Sequence, residues 1–134
     1  RLPHEPVVIG GLAEMSIGDW EGQKFNRLQS EQQLIERCTK DIHWCPPNGE
    51  SLAIVAQRMC DAIEQIKKSH SDGSTVLVVS HGAATAIAIA TLIHNDPCQW
   101  GGYHFRNCSL TELTLKDGAN LGSFDDCSHL GMFG

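Results

Sequence analysis

The sequence has no C-x-x-C pair, no long apolar run and no run of basic residues, and each absence excludes a class of protein. Six cysteines are scattered among 134 residues without a tight Cys/His cluster, so we expect no metal site. The longest apolar run, residues 83–93, is far shorter than the roughly 20 residues that cross a membrane. A net charge of -6 would repel the phosphates of nucleic acid. Membrane and nucleic-acid partners are therefore not expected.

The composition is that of an ordinary folded protein. Apolar residues make up 41% and charged residues 19% of the chain, which does not indicate disorder. A length of 134 residues predicts a single domain over residues 1–134. The N-terminal residues RLPHEPVV lack a basic segment followed by an apolar one, so we expect no signal peptide in them. A chain of this length does not need disulfides to be stable, so we expect reduced cysteines and a cytoplasmic location.

The N-terminal half predicts one short strand and two helices. Residues 6–11 (PVVIGG) are typical of a strand that ends at a double glycine. Residues 12–22 predict a loop, and residues 23–38 predict a helix with a partial apolar face. After a Pro-Pro and Asn-Gly loop, Ser51 is a candidate cap for a second helix. Its apolar positions recur every three or four residues: Leu52, Val55, Met59, Ile63 and Ile66.

The C-terminal half predicts alternating strands and helices. Residues 75–79 (TVLVV) are continuously apolar or β-branched, as in a strand that is buried on both faces of a parallel sheet. Residues 82–94 alternate Ala with Ile in places, but their length and alanine content favour a helix. Residues 109–118 alternate and end in a turn, which predicts a strand, and another short strand is expected near Leu121.

Ser80-His81-Gly82 lies where the predicted strand ends and the predicted helix begins. A helix that begins there presents unpaired N–H groups and the positive end of its dipole, which together bind anions. His81 could then donate a hydrogen bond or a proton to a bound phosphate. The alternative is a strand-to-helix turn with a hydrogen-bonded histidine. The local pattern leaves both interpretations open.

Four segments, taken in order, carry a resemblance to a known family. They are LAEMSIGDWEG, PPNGES, VLVVSHG and FDDCSHL. In this order they resemble the histidine phosphatase superfamily, the phosphoglycerate mutase-like proteins, and its phosphatase branch in particular, over residues 7–130. The resemblance implies an α/β fold, a three-layer sandwich with a mostly parallel sheet flanked by helices. It also implies a small phosphorylated substrate and no cofactor.

The resemblance assigns a role to each matching residue. His81 matches a pocket histidine that contacts the transferred phosphoryl group, and Glu14 matches the carboxylate that serves as general acid and then as base. Gly82 and Ala83 would bind the phosphate through their backbone N–H groups. Glu50 would shape the pocket.

Three further residues are not expected to act on the substrate. Trp20 and Glu21 are expected to be structural, with Trp20 packing the loop. Arg58 is expected on the exposed or interface side of its helix, with a structural role favoured over a substrate role.

The sequence departs from the family in one respect. Family members begin with a strand that carries an Arg-His-Gly signature, whose histidine attacks phosphorus. No Arg-His-Gly occurs in this chain, and its one His-Gly pair is His81-Gly82. We therefore expect a segment of about 70 residues to be missing before Arg1, so that the fold is incomplete at its N-terminal side. Replacement of the nucleophile by Ser80 or a cysteine is disfavoured, because VSHGA is not a G-x-S-x-G motif.

Two functions remain at this point. The first is a phosphomonoester hydrolase, a phosphatase or a mutase, that acts through phosphohistidine in the intact protein, while this chain alone is inactive. The second is a non-catalytic module that binds a phosphorylated ligand or a protein partner. An Arg-His-Gly signature in the coding sequence upstream of Arg1 would favour the first. The unpaired edge of residues 75–79 leads us to expect a homo-oligomer or a complex with a complementing N-terminal segment.

Overall fold

The computed structural model describes residues 5–133, which form helices around one small core and a minimal sheet. The α-helices are α1 (Phe25–Gln32), α2 (Leu34–Lys40), α3 (Leu52–Lys68) and α4 (Gly82–His94). The strands are β1 (Leu113–Thr114) and β2 (Asn120–Leu121). Short 3₁₀ helices cover Gly10–Leu12, Gly18–Trp20, Pro97–Gly102 and Ser128–Phe133.

The two helices predicted after Ser51 and after His81 are confirmed. The Ser51 side chain accepts a hydrogen bond from the Ile54 N–H at 3.2 Å, so the predicted cap forms. Helix α4 covers the predicted residues and ends at Asn95, whose φ of 54° is left-handed. Asparagine tolerates this conformation better than most residues, which suits it to a helix end.

A single helix over residues 23–38 is wrong. The chain breaks at Gln33, which adopts a left-handed conformation with φ 53° and ψ 42° between α1 and α2. The Gln29 side chain accepts a hydrogen bond from the Ile35 N–H at 3.1 Å, which satisfies a donor in the first turn of α2. The break reorients the chain so that Leu28 from α1 and Leu34 from α2 both reach the core.

The core lies between α3 and α4, with α1 and α2 contributing at one side. Apolar side chains of α3 meet small and branched side chains of α4, whose alanines allow close approach. Burial of this kind of surface is the main stabilising contribution in a small domain. The buried residues of this cluster are Leu28, Leu34, Cys38, Leu52, Val55, Ala56, Met59, Ala84, Ile87 and Ala88.

The mostly parallel sheet of a three-layer sandwich is not confirmed in the described part of the chain. Residues 75–79 form no strand there, and their expected burial is wrong, because Leu77 is 66% and Val79 is 82% exposed. A strand exists only through hydrogen bonds to a neighbour, and residues 5–133 supply none at this position. Residues 6–11 likewise form no strand, and Val7 and Val8 are exposed.

The C-terminal strands are shorter than predicted. β1 and β2 pair in antiparallel fashion, with Leu113 opposite Leu121 and Thr114 opposite Asn120. One isolated antiparallel bridge joins Leu110 to Asp126. The strand near Leu121 is confirmed, while only two residues of the predicted strand over 109–118 pair in β1. Within residues 5–133 there is no helix with the length and apolar character needed to span a membrane.

Candidate active site

The N-terminus of α4 is the centre of the candidate site. His81 precedes the helix with φ -123° and ψ 165°, and its side chain forms no capping hydrogen bond. His81 and Gly82 are both exposed, and open space surrounds Gly82 on the side where a Cβ would stand. A ligand can therefore approach the first backbone N–H groups of α4 beside the His81 ring.

Glu14 occupies this helix N-terminus. Its Oε1 accepts the Ala84 N–H at 2.8 Å, and its Oε2 accepts the Ala83 N–H at 3.2 Å. Oε1 also lies 2.8 Å from the N–H of the next residue, Met15. The structure thus brings together Glu14, Ala83 and the helix that follows His81, which the sequence placed in one site. A carboxylate of the chain therefore binds to the Ala83 N–H, one of the two that were predicted to bind phosphate, and to the Ala84 N–H, which was not predicted.

Ser80 joins the two segments that carry Glu14 and His81. The Ser80 hydroxyl donates to the Leu12 carbonyl at 2.8 Å, across 68 positions of the chain. This bond holds the end of the segment before α4 against the loop before Glu14. The Ser80 hydroxyl therefore has a structural role in linking these two segments.

Glu50 lies behind the Glu14 loop and does not contact the Glu14 carboxylate. Its Oε2 accepts the Ser16 N–H at 2.9 Å, and its own N–H donates to the Ser16 carbonyl at 2.8 Å. The hydrogen bond from the Arg58 guanidinium lowers the pKa of the Glu50 carboxyl, although partial burial opposes this. Glu50 therefore remains charged and fixes the loop two residues after Glu14.

Arg58 does not lie where the sequence predicted. Its expected position on the exposed or interface side of α3 is wrong: its side chain is only 20% exposed and forms an ion pair of 2.7 Å with Glu50. The guanidinium also donates to the carbonyl oxygens of Gly11, Ala13 and Glu14. The spacing of residues along the helix could have predicted this position. Arg58 lies three residues after buried Val55 and four before buried Ala62, which places all three on one helix face.

A second contact presses the Glu14 loop onto the loop before α3. Gly18 has a φ of 57°, and a Cβ there would lie 2.1 Å from the Pro47 carbonyl oxygen. Only glycine fits such an approach. The Asp19 N–H donates to the same Pro47 carbonyl at 2.9 Å, and the Asn48 amide donates to the Asp19 carboxylate.

Trp20 and Glu21 have the structural roles that the sequence predicted. Trp20 packs against the core, and its ring centroid lies 5.9 Å from that of Trp44. The Glu21 carboxylate accepts the Ile17 N–H at 2.9 Å and stays within its own loop. Both residues therefore support the loop that carries Glu14.

Comparison with known proteins gives a family match over most of the chain. Residues 1–122 match the family model described as "Histidine phosphatase superfamily (branch 1)". The protein named "Probable phosphoglycerate mutase GpmB" from Yersinia enterocolitica is 34% identical over 129 residues, covering 90% of this chain and 60% of that protein. The protein of the same name from Erwinia tasmaniensis is 28% identical over 127 residues, covering 89% and 59%.

Solved structures show a shared α/β fold. A mycobacterial glucosyl-3-phosphoglycerate phosphatase in complex with inorganic phosphate superposes with a TM-score of 0.70 at 23% identity, covering 87% of this chain and 62% of that chain. The α-ribazole phosphatase from Shigella flexneri gives a TM-score of 0.70 at 24% identity, covering 89% and 60%. The chain spans about three fifths of the length of these proteins.

Proposed function

The chain belongs to branch 1 of the histidine phosphatase superfamily, and from this we propose that the intact protein is a phosphomonoester hydrolase acting through phosphohistidine. The observation that carries the proposal is the convergence of the Glu14 carboxylate and the Ala83 and Ala84 N–H groups beside His81. The substrate class is a small phosphate monoester, in line with the phosphatases and mutases named among the relatives. Phosphatase is preferred to mutase.

Each residue has a defined part in the proposed reaction. A histidine nucleophile outside this chain attacks phosphorus, and the bond to the leaving oxygen breaks as Glu14, protonated at this step, gives that oxygen its proton. Glu14 then takes a proton from the water that attacks the phosphohistidine, which releases phosphate. His81 and the N–H groups of Gly82 and Ala83 bind the phosphoryl oxygens, where developing charge needs stabilisation.

Glu14 has to leave the amides when phosphate binds. The carboxylate and a phosphate compete for the Ala83 N–H and repel each other, so they do not share it. Once displaced, the carboxylate remains at the edge of the site, because its backbone is held by Arg58. This is the place from which an acid can reach the leaving oxygen. The exposed position of Glu14 leaves room for the movement.

The nucleophile and the rest of the sheet are proposed to come from a preceding segment. The chain has no Arg-His-Gly signature, and residues 76–79 expose a row of apolar side chains. A strand that pairs with residues 75–79 would complete a mostly parallel sheet in a three-layer sandwich and place its histidine opposite His81. A cytoplasmic location belongs to the same proposal and is consistent with the six free cysteines.

The test compares three samples: this chain alone, the chain extended by the residues encoded before Arg1, and the extended chain with His81→Ala. We expect hydrolysis of p-nitrophenyl phosphate by the extended chain, none above buffer by this chain alone, and turnover lowered by about 10² to 10⁴ fold in the extended chain with His81→Ala. Saturable turnover by the 134-residue chain, persisting through stringent purification, would contradict the need for an outside nucleophile. An upstream sequence without Arg-His-Gly, together with phosphate binding and no turnover, would instead favour a non-catalytic binding module.

A further inference from the structure

The guanidinium of Arg58 uses all five of its N–H donors within one small region. Nε donates to Glu50 Oε1 at 2.7 Å, and Nη2 donates to Glu50 Oε2 at 2.9 Å. Nη1 donates to the carbonyl oxygens of Gly11 and Ala13 at 2.9 and 2.8 Å, and Nη2 donates to that of Glu14 at 3.0 Å. We propose that Arg58, paired with Glu50, is a positioning residue that holds the Glu14 carboxylate at the N-terminus of α4.

The backbone before Glu14 explains why an arginine is needed. Residues 13–17 belong to neither a helix nor a strand, and among the described residues no backbone N–H bonds to the carbonyls of Gly11, Ala13 and Glu14. The planar, rigid fork of a guanidinium can serve several carbonyls at fixed angles, whereas the three donors of a lysine cannot match them. The carbonyls of Gly11, Ala13 and Glu14 are thereby fixed relative to α3, which forms the core with α4.

Glu50 closes the arrangement on the other side of Glu14. It neutralises the partly buried Arg58 charge and exchanges two hydrogen bonds with the backbone of Ser16. The loop is therefore fixed at Glu14 itself and again two residues later. The Glu14 side chain is thereby held within reach of the Ala83 and Ala84 N–H groups.

This inference deepens the proposed function in one respect only. That Glu14 gives a proton to the leaving group rests on the proposed function, whereas the positioning of Glu14 by Arg58 does not. The experiment therefore has one arm that requires no turnover and one arm that does, so that failure of either can be recognised.

The first arm measures amide hydrogen exchange at Ala83 and Ala84 by NMR in the 134-residue chain and in the extended chain. Glu14→Ala removes the acceptor and defines the fully exposed rate. Arg58→Lys should raise exchange at both amides by roughly tenfold, the usual effect of losing a charged hydrogen-bond acceptor. Arg27→Lys is the matched control, because Arg27 forms a single exposed ion pair with Glu31. In the Arg27→Lys variant, the Ala83 and Ala84 amides should exchange at the wild-type rates. Amides in the middle of α3 should stay protected in every variant.

If Arg58→Lys does not fold, Glu50→Gln provides the same test. Either orientation of the amide introduced by Glu50→Gln points its NH₂ group at an Arg58 donor, so one of the two hydrogen bonds and the charge attraction are lost without a change of size. Raised exchange at Ala83 and Ala84, with α3 protected, supports the proposal. Unchanged exchange in a folded Arg58→Lys or Glu50→Gln variant overturns it.

The second arm measures turnover of phosphate monoesters with good and poor leaving groups by the extended chain. Arg58→Lys should lower kcat for poor leaving groups more than for p-nitrophenyl phosphate and leave KM nearly unchanged. This pattern supports the positioning role, because general loss of stability would lower turnover of all substrates alike. Equal losses combined with raised exchange would leave the positioning of Glu14 intact and contradict its role as proton donor.

Discussion

Oε1 of Glu14 lies 2.8 Å from the backbone nitrogen of Ala84, although 70 positions of the chain separate the two residues. The Ala84 N–H belongs to the first turn of α4, where no carbonyl of the helix can accept it. A carboxylate at this end of a helix is favoured by the hydrogen bond and by the helix dipole. The same two effects would favour a phosphate, so in the proposed site the Glu14 carboxylate would compete with phosphate for this helix N-terminus.

Competition between Glu14 and phosphate gives the first prediction. Glu14→Gln removes the negative charge that opposes an incoming phosphate, so we expect the extended chain to bind inorganic phosphate roughly tenfold more tightly. Binding is followed through the amide resonances of Ala83 and Ala84. Glu36→Gln, an exposed carboxylate on α2, is the control and should change nothing. Equal phosphate affinity in the Glu14→Gln variant and the wild type would show that the carboxylate and phosphate do not compete.

The second prediction concerns turnover by the extended chain. His81→Ala and Glu14→Gln should each lower kcat by about 10² to 10⁴ fold, the usual contribution of a proton-transfer group. The Glu14→Gln loss should shrink for substrates with good leaving groups, because these need little protonation, whereas the His81→Ala loss should not. Steady-state kinetics over a series of aryl phosphates measures both. A Glu14→Gln loss that does not vary with the leaving group would argue against a proton donor.

These contacts also show which parts of the molecule the sequence could predict. Helix α3 was predictable because its apolar spacing and its Ser51 cap agree, and α4 because a long run of helix formers leaves few alternatives. Glu14 and Ala83 were paired only through the resemblance, since nothing local connects residues so distant in sequence.

Tertiary contacts decided what the sequence could not predict. The break at Gln33 depends on a left-handed residue that is not a glycine, and it serves to bring two helix faces onto one core. The position of Arg58 was predicted wrongly because a charged residue on a helix is usually solvated. Here carbonyls from a loop 44 to 47 positions away supply its partners. The periodicity of apolar residues along a helix cannot predict partners that lie so far away in the sequence.

Glu50 gives the third prediction, on pH. Its pKa is lowered from the ordinary value of 4.5 by the Arg58 hydrogen bond, so the charged form is favoured in the folded state. The contribution to stability is full above the unfolded pKa and is lost as pH falls through the lower folded pKa. At neutral pH, Glu50→Gln should lower the free energy of unfolding by about 2 kcal/mol. The difference from the wild type should narrow below about pH 4.5.

Chemical denaturation of both proteins at a series of pH values measures this difference. Glu31→Gln is the control, since the Arg27–Glu31 pair is more than half exposed on both sides and should contribute less than about 0.5 kcal/mol. If the free energy of unfolding of Glu50→Gln differed from that of the wild type by the same amount at neutral and at acidic pH, the assigned role of Arg58 would be contradicted.

The cysteines give the fourth prediction. Burial raises the pKa of the Cys38 thiol to about 11, and its side chain is buried in the core, whereas Cys45 and Cys108 are exposed. Because the thiolate is the reactive form, iodoacetamide at about pH 8 should modify Cys45 and Cys108 at least tens of times faster than Cys38. Peptide mass spectrometry over a time course measures the rates. Modification of Cys38 at the rate of Cys45 would mean that the core around α2 opens readily.

The last prediction concerns residues 75–79. Leu77 and Val79 are exposed, and in the described residues no strand pairs with this segment, so it is a template for association. We expect the 134-residue chain to self-associate with rising concentration and Leu77→Lys to reduce this association, because a charge opposes edge pairing. Ile54→Lys is the matched control, since Ile54 is 51% exposed but lies on α3. Sedimentation velocity over a concentration series compares the association of the wild type, Leu77→Lys and Ile54→Lys.

In the extended chain, the same Leu77→Lys change should instead prevent compact folding, because there the lysine would be buried beneath a helix on a completed sheet. A Leu77→Lys variant that associates like the wild type, or an extended chain that accepts the lysine without loss of stability, would show that residues 75–79 are not the edge at which the sheet is completed.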